Sequence, residues 1–189
     1  MNAPPKNTSS DSTRYANTND LMHCIIKTLE TIPDPEMPIS ITDLGLVENI
    51  EISKDGSISI DILPTMIGCP ALAMIQSDIE NQISKLSGVK SVKVTFINDP
   101  PWTVDRITDK GRADLRKFGV TVPDKNNPNS PNQTVELRTT APPKPDTVIT
   151  CPFCGSTNTK LDSPFGPTRC RSIYLCKNCN NTFEQMKRL

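Results

Sequence analysis

The chain has 189 residues, and its 21 Lys and Arg are matched by 21 Asp and Glu, so the formal charge is zero. That balance excludes the whole-chain electrostatic signature of a nucleic-acid or anionic-membrane binder. Hydrophobic residues make up 35%, aromatics 4%, and there are 18 prolines, a supply that suits one modest core and long stretches without regular structure.

Met1-Asn2-Ala3-Pro4-Pro5-Lys6 lacks the apolar run of a secretory signal, and no stretch approaches the roughly 20 apolar residues that span a bilayer. A cytoplasmic location is expected, where closely spaced cysteines bind metal rather than form disulfides.

Residues 1–18, rich in Asn, Ser, Thr and Pro, read as a disordered tail. Asp20 is placed to cap a helix with Leu21, Ile25, Ile26 and Leu29 on one face, ended by Ile32-Pro33-Asp34-Pro35. Two alternating segments follow, Val47 to Ile52 and Ile58 to Ile62, and the Asp55-Gly56 pair between them signals a hairpin. After Gly68-Cys69-Pro70, the spacing of Leu72, Ile75, Ile79, Ile83 and Leu86 predicts an amphipathic helix stopped by Gly88. Val92, Val94 and Phe96 alternate as a third strand, and a shorter helix with Leu115 and Phe118 on its apolar side ends at Gly119. The expected fold is α+β: a small mixed sheet with helices packed on one face over residues 19–120, plus a C-terminal zinc ribbon over 150–189. Between them, residues 121–149 read as a Pro- and Asn-rich linker.

Cys151-Pro152-Phe153-Cys154 and Cys176-Lys177-Asn178-Cys179 carry the most specific motif. Two residues between cysteines let one turn aim both sulfurs at a single ion, and four thiolates close a tetrahedron suited to structural Zn2+. A single iron in the same cage is the alternative. With every ligand position filled by protein, such a site has no opening for catalysis. A fragment this small needs the metal to fold. Cys170 is a spare thiol, read either as buried beside the ribbon or as an exchange ligand. Lys160, Arg169, Arg171, Lys177, Lys187 and Arg188 face only Asp162 and Glu184 there, a mild basic excess without the interleaved aromatics that stack bases.

Cys69, with Pro70 suited to the first helical position, becomes the expected cap at the positive end of the following helix. Backbone N–H groups there would lower its pKa and make it a metal ligand or nucleophile; a small half-buried cap without chemistry is the other reading. Asp34, Glu36 and Asp43, near Thr65, can form an acidic rim around it, or serve only as caps and turn formers. The single histidine, His23, lies on the first helix and is a poor partner for Cys69; its neighbour Cys24 is expected in the core. No phosphate loop, Ser-His-Asp set or nucleotide fingerprint is present.

The string Asp34-Pro35-Glu36-Met37-Pro38-Ile39-Ser40-Ile41-Thr42-Asp43-Leu44-Gly45-Leu46-Val47, with Thr65-Met66-Ile67-Gly68-Cys69-Pro70 and Pro101-Trp102-Thr103, resembles the iron–sulfur cluster assembly-factor domain family. The segment Phe165-Gly166-Pro167-Thr168-Arg169-Cys170 before the second cysteine pair is similar to the ribbon of the accessory subunits of phenylacetyl-CoA epoxidases. The resemblance implies that Cys69 handles a transient iron–sulfur cluster or metal, with Asp34, Glu36, Asp43 and Thr65 around it. It implies a non-enzymatic maturation factor whose partners are oxygenase or reductase clients and assembly machinery, or a second copy sharing a cluster. A non-catalytic subunit of the epoxidase complex and a nucleic-acid-binding ribbon are the competing expectations.

Overall fold

Three aligned apolar rows organise the N-terminal domain. The computed structural model describes residues 18–124 and 149–188; the expected tail up to residue 17 and the linker from 125 to 148 lie outside them. Strands β1 (Val47–Ile52) and β2 (Ser57–Ile62) pair antiparallel, and β3 (Ser91–Phe96) joins β2 in parallel. The register sets Ile52, Ile58 and Val92 side by side, then Ile50, Ile60 and Val94, then Val47, Ile62 and Phe96. The alternate positions, Glu51, Ser59 and Lys93 among them, form a polar opposite face.

Helices α1 (Thr18–Leu29), α2 (Ala71–Ile83) and α3 (Asp109–Lys117) supply the cover. Leu21, Ile25 and Leu29 are buried from α1, and Ala71, Ile75, Ile79 and Ile83 from α2, one residue per turn. Burying each large aliphatic side chain contributes about 1.5–3 kcal/mol before chain entropy is counted. Several sequence expectations need correction. Helix α1 starts at Thr18, which puts Asp20 inside its first turn rather than at the cap, and Ile26 is exposed. Leu72 is only half-buried, and Ala71 takes the core position at the head of α2. Phe118 is 61% exposed and caps α3, leaving Leu115 as that helix's buried anchor. Cys24 is half-buried on α1 rather than part of the core.

Two loops are tied down where the motif residues fall. Asp34 N–H donates to the Ile39 carbonyl (2.9 Å) and Ile41 N–H to that of Ile32 (3.0 Å), folding residues 32–41 into a closed loop. Trp102 is buried and donates through Nε1 to the Leu44 carbonyl (3.0 Å), so the Pro-Trp-Thr segment locks the Asp-Leu-Gly-Leu-Val turn.

The C-terminal sheet is built across the expected domain boundary. Strands β5 (Thr159–Ser163), β6 (Arg171–Cys176) and β7 (Thr182–Met186) form an antiparallel ribbon. The two-residue strand β4 (Val120–Thr121), which follows α3, pairs in parallel with β7. Glu184 N–H donates to the Gly119 carbonyl (2.9 Å), and Thr121 Oγ1 donates to the Glu184 carbonyl (3.1 Å) and to Gln185 Oε1. Met186 is fully buried within the apolar cluster of the N-terminal domain. Phe153 lies over Gly119, where a Cβ would stand 2.9 Å from its Cζ, so this glycine (φ +87°) permits close approach. Arg188 closes the seam from the far end, through Asp105 (2.9 Å) and the Asp124 carbonyl (2.6 Å).

Candidate functional site

A cluster of four ribbon cysteines and the single thiol of Cys69 lie on the two sides of this seam. The four ribbon cysteines converge so that their sulfurs all lie within 4.8 Å of one another. Cys151 and Cys179 Sγ are 3.7 Å apart, Cys154 and Cys176 Sγ 3.6 Å; a tetrahedron with metal–sulfur bonds of about 2.3 Å has edges of about 3.8 Å. The two cysteine turns are built alike. Gly155 N–H donates to the Cys151 carbonyl (3.0 Å) and Asn180 N–H to that of Cys176 (2.9 Å). Both closing residues take positive φ, +73° and +58°. Gly155 takes the first without steric cost, and Asn180 is its counterpart, since asparagine is among the side chains that best tolerate this conformation. N–H groups of Cys179 and Asn178, together with the neighbouring thiols, pull Cys176 down to about 6. The Ser156 N–H favours a thiolate at Cys154, but desolvation and the other three sulfurs push that thiol up to about 11. The donor set of Cys151, Cys154, Cys176 and Cys179 fits a closed metal site.

Cys69 heads α2, half-buried against the main core. The helix begins at Ala71 with Pro70 as its cap, one residue later than anticipated. The Ala71 N–H nevertheless favours a thiolate at Cys69. The expected fall in its pKa is not found. Burial pushes the Cys69 thiol up, the Ala71 N–H opposes this, and the charges of Glu36, Cys170 and Asp34 add to the rise. A helix start stabilises a thiolate only when water or cations also solvate it; here desolvation and two carboxylates win.

Of the acidic rim, Asp34 and Glu36 reach Cys69. Asp34 is buried and accepts the Glu36 N–H at Oδ1 (2.8 Å); burial raises its pKa, against the Glu36 N–H and the Arg171 charge. Glu36 is half-buried beside it. Thr65 is half-buried in the loop leading to Cys69. Asp43 is engaged elsewhere: it accepts from Thr108 Oγ1 (2.7 Å), Ser40 Oγ (3.0 Å) and Lys110, fastening the motif turn to the start of α3. His23 is exposed on α1. What sequence reasoning missed is the ribbon's share of this site. Arg171 acts on Asp34 and Cys170 acts on Cys69 from across the seam, and only the Phe-Gly-Pro-Thr-Arg-Cys string marked that loop beforehand.

Known proteins align with both halves. The family described as iron–sulfur cluster assembly protein matches residues 24–96, and the PaaD zinc beta ribbon domain matches residues 137–187. A protein of Escherichia coli strain K12, named as a 1,2-phenylacetyl-CoA epoxidase subunit, is 35% identical over 167 residues, covering 88% of this chain and 92% of that one. An Fe–S protein maturation auxiliary factor of Porphyromonas gingivalis is 32% identical over 91 residues, 48% of this chain and 87% of the relative. A crystal structure of a DUF59 domain from Bacillus anthracis superposes with a TM-score of 0.49 at 28% identity, covering 51% of this chain and 92% of that one. The chain belongs to the iron–sulfur cluster assembly protein family, in the group that carries a PaaD zinc beta ribbon after the assembly domain.

Proposed function

We propose that the chain is an accessory maturation factor, not itself a catalyst, that helps place an iron–sulfur cluster or iron centre in a multicomponent oxygenase of the phenylacetyl-CoA epoxidase type. The observation that carries this reading is Cys69, a half-buried thiol at a helix start with Asp34 and Glu36 beside it. The raised pKa suits a carrier: the thiol stays protonated until iron displaces the proton, and it releases the metal readily when reprotonated. The clients are the oxygenase or its reductase, and the assembly machinery supplies the cargo. A cluster shared between two copies would make the transferring species a homodimer.

The ribbon serves as a closed zinc module. Cys151, Cys154, Cys176 and Cys179 would hold Zn2+, which supplies folding free energy and no reactive position. A nucleic-acid role for the ribbon loses support because three of its six cations are committed. Arg171 is buried against Glu184 (2.6 Å), Arg188 binds Asp105 (2.9 Å), and Lys187 lies over the Phe165 ring (4.6 Å). No helix among the described residues is long and apolar enough to cross a membrane, in keeping with work in the cytoplasm.

The test is replacement of Cys69 by Ser in cells that also make the oxygenase. Client activity and client iron should fall while the variant accumulates with wild-type zinc. Unchanged client iron would end this reading.

A further inference from the structure

We infer that zinc occupancy of the ribbon and closure of the seam form one coupled equilibrium, carried by strand β7 and by Phe153, so that the zinc site regulates the domain that holds Cys69. This deepens the proposed function by naming what controls that site, and it rests on that reading for its biological meaning.

The ribbon has too small a core to hold its own shape. Among the described residues its buried apolar cluster is Ile149, Cys151, Cys176 and Phe183. Two of those four residues are metal ligands, and what remains without the ion is too little to fold. Phe183, stacked on Tyr174 with ring centroids 5.8 Å apart, sits in this cluster near the start of β7. At the end of the same strand, Met186 is fully buried in the core of the assembly domain. Strand β6 makes the same crossing: Cys176 stands at its metal end, and Arg171 at its other end pairs with Met186. Between these ends β7 is fastened to the assembly domain, through the Glu184 N–H on the Gly119 carbonyl (2.9 Å) and the buried Gln185 on Thr121 Oγ1.

A second route starts inside a metal-binding turn. Phe153 lies between the ligands Cys151 and Cys154, and its ring edge rests on Gly119, where a Cβ would stand 2.9 Å from Cζ. Closing this turn on an ion holds the ring against the assembly domain, and the contact in turn holds the two sulfurs in place. Two states follow. In the docked state the four sulfurs lie within 4.8 Å of one another and Met186 fills its place in the core; undocking loses both sets of contacts. Zinc favours docking by the same factor by which docking favours zinc, because linkage is reciprocal. Met186 is thus a positioning residue for a metal it does not touch. Cys69 packs against the same apolar cluster, so an empty ribbon loosens the wall behind the cargo thiol.

Competition with a chelator of known affinity measures zinc binding by the full-length, reduced chain. Met186→Ala should weaken it by roughly 5- to 150-fold, the range of such couplings. Ile79→Val, on the helix α2 that packs on α1 and β3, should leave it unchanged and controls for a general loss of stability. In the unmutated chain, stripping the zinc should remove hydrogen-exchange protection from Val120 and Thr121, and zinc should restore it, so the result does not depend on how the variants fold. Equal zinc affinity in Met186→Ala and wild type would overturn the coupling, as would an equal fall in Ile79→Val or protection that survives zinc removal. Neither readout involves Cys69 or a client. Unchanged client iron in Cys69→Ser would therefore remove the functional reading and leave the coupling standing.

Discussion

Met186 offers the sharpest perturbation of the seam. Its side chain is fully buried and belongs to the ribbon by sequence but to the assembly domain by packing. Truncation to Ala removes buried apolar atoms and leaves a cavity, a change that costs about 2–5 kcal/mol. If about 3 kcal/mol of this falls on the docked state, undocking becomes roughly 100-fold more frequent. Cys170, buried in the seam, should react with iodoacetamide only when the seam opens, so its alkylation rate reports the opening equilibrium directly. Met186→Ala should therefore speed modification of Cys170 by roughly two orders of magnitude, read by peptide mass spectrometry on zinc-loaded protein. Cys24, half-buried on α1 and remote from the seam in sequence, is the internal control. A Cys170 rate equal to wild type would refute the claim that Met186 holds the ribbon in place.

Other perturbations follow from single interactions. Asp43→Ala removes the acceptor for Ser40, Thr108 and Lys110 and should cost about 1.5–3 kcal/mol in urea unfolding. Although burial opposes it, the bonds from Lys110, Thr108 and Ser40 hold this carboxyl below its usual 3.8. Its contribution is therefore complete above that value and lost as pH falls through the lower folded pKa, so wild type and variant should converge in strong acid. Asp34→Asn should behave in the opposite sense. Burial raises the Asp34 carboxyl above 3.8, so its ionisation opposes folding as pH rises through that range. The variant should match wild type in acid and exceed it in thermal stability near neutrality, while client maturation declines. Cys176→Ser should unfold the ribbon and strip hydrogen-exchange protection from Val120 and Thr121, which depend on β7 for pairing.

Local pattern made several parts of the molecule legible from sequence. The hairpin, α2 and the third strand each carry their periodicity within one segment, and the two Cys-x-x-Cys turns state their ligand geometry outright. The Asp34, Glu36 and Cys69 grouping was one of two open readings of the residues and was favoured only by the resemblance, because loops 32–41 and 63–70 meet by packing rather than by pattern. What stayed hidden was the seam. A two-residue strand such as Val120–Thr121 has no period to read, and its partner β7 lies more than sixty positions away. Met186 carries no mark that separates a ribbon residue from a core residue of another domain. The direction of the Cys69 pKa escapes a local reading for a related reason: the helix start is local, but the burial and the charges that outweigh it come from other segments.

The most direct test of the central claim is anaerobic uptake of ferrous iron and sulfide by the zinc-loaded chain, followed by metal analysis and visible absorption. Iron and sulfide should be taken up by the wild type and lost in Cys69→Ser, with ribbon zinc equal in both. Equal iron in the two proteins would show that the sulfur at the head of α2 does not handle the cargo.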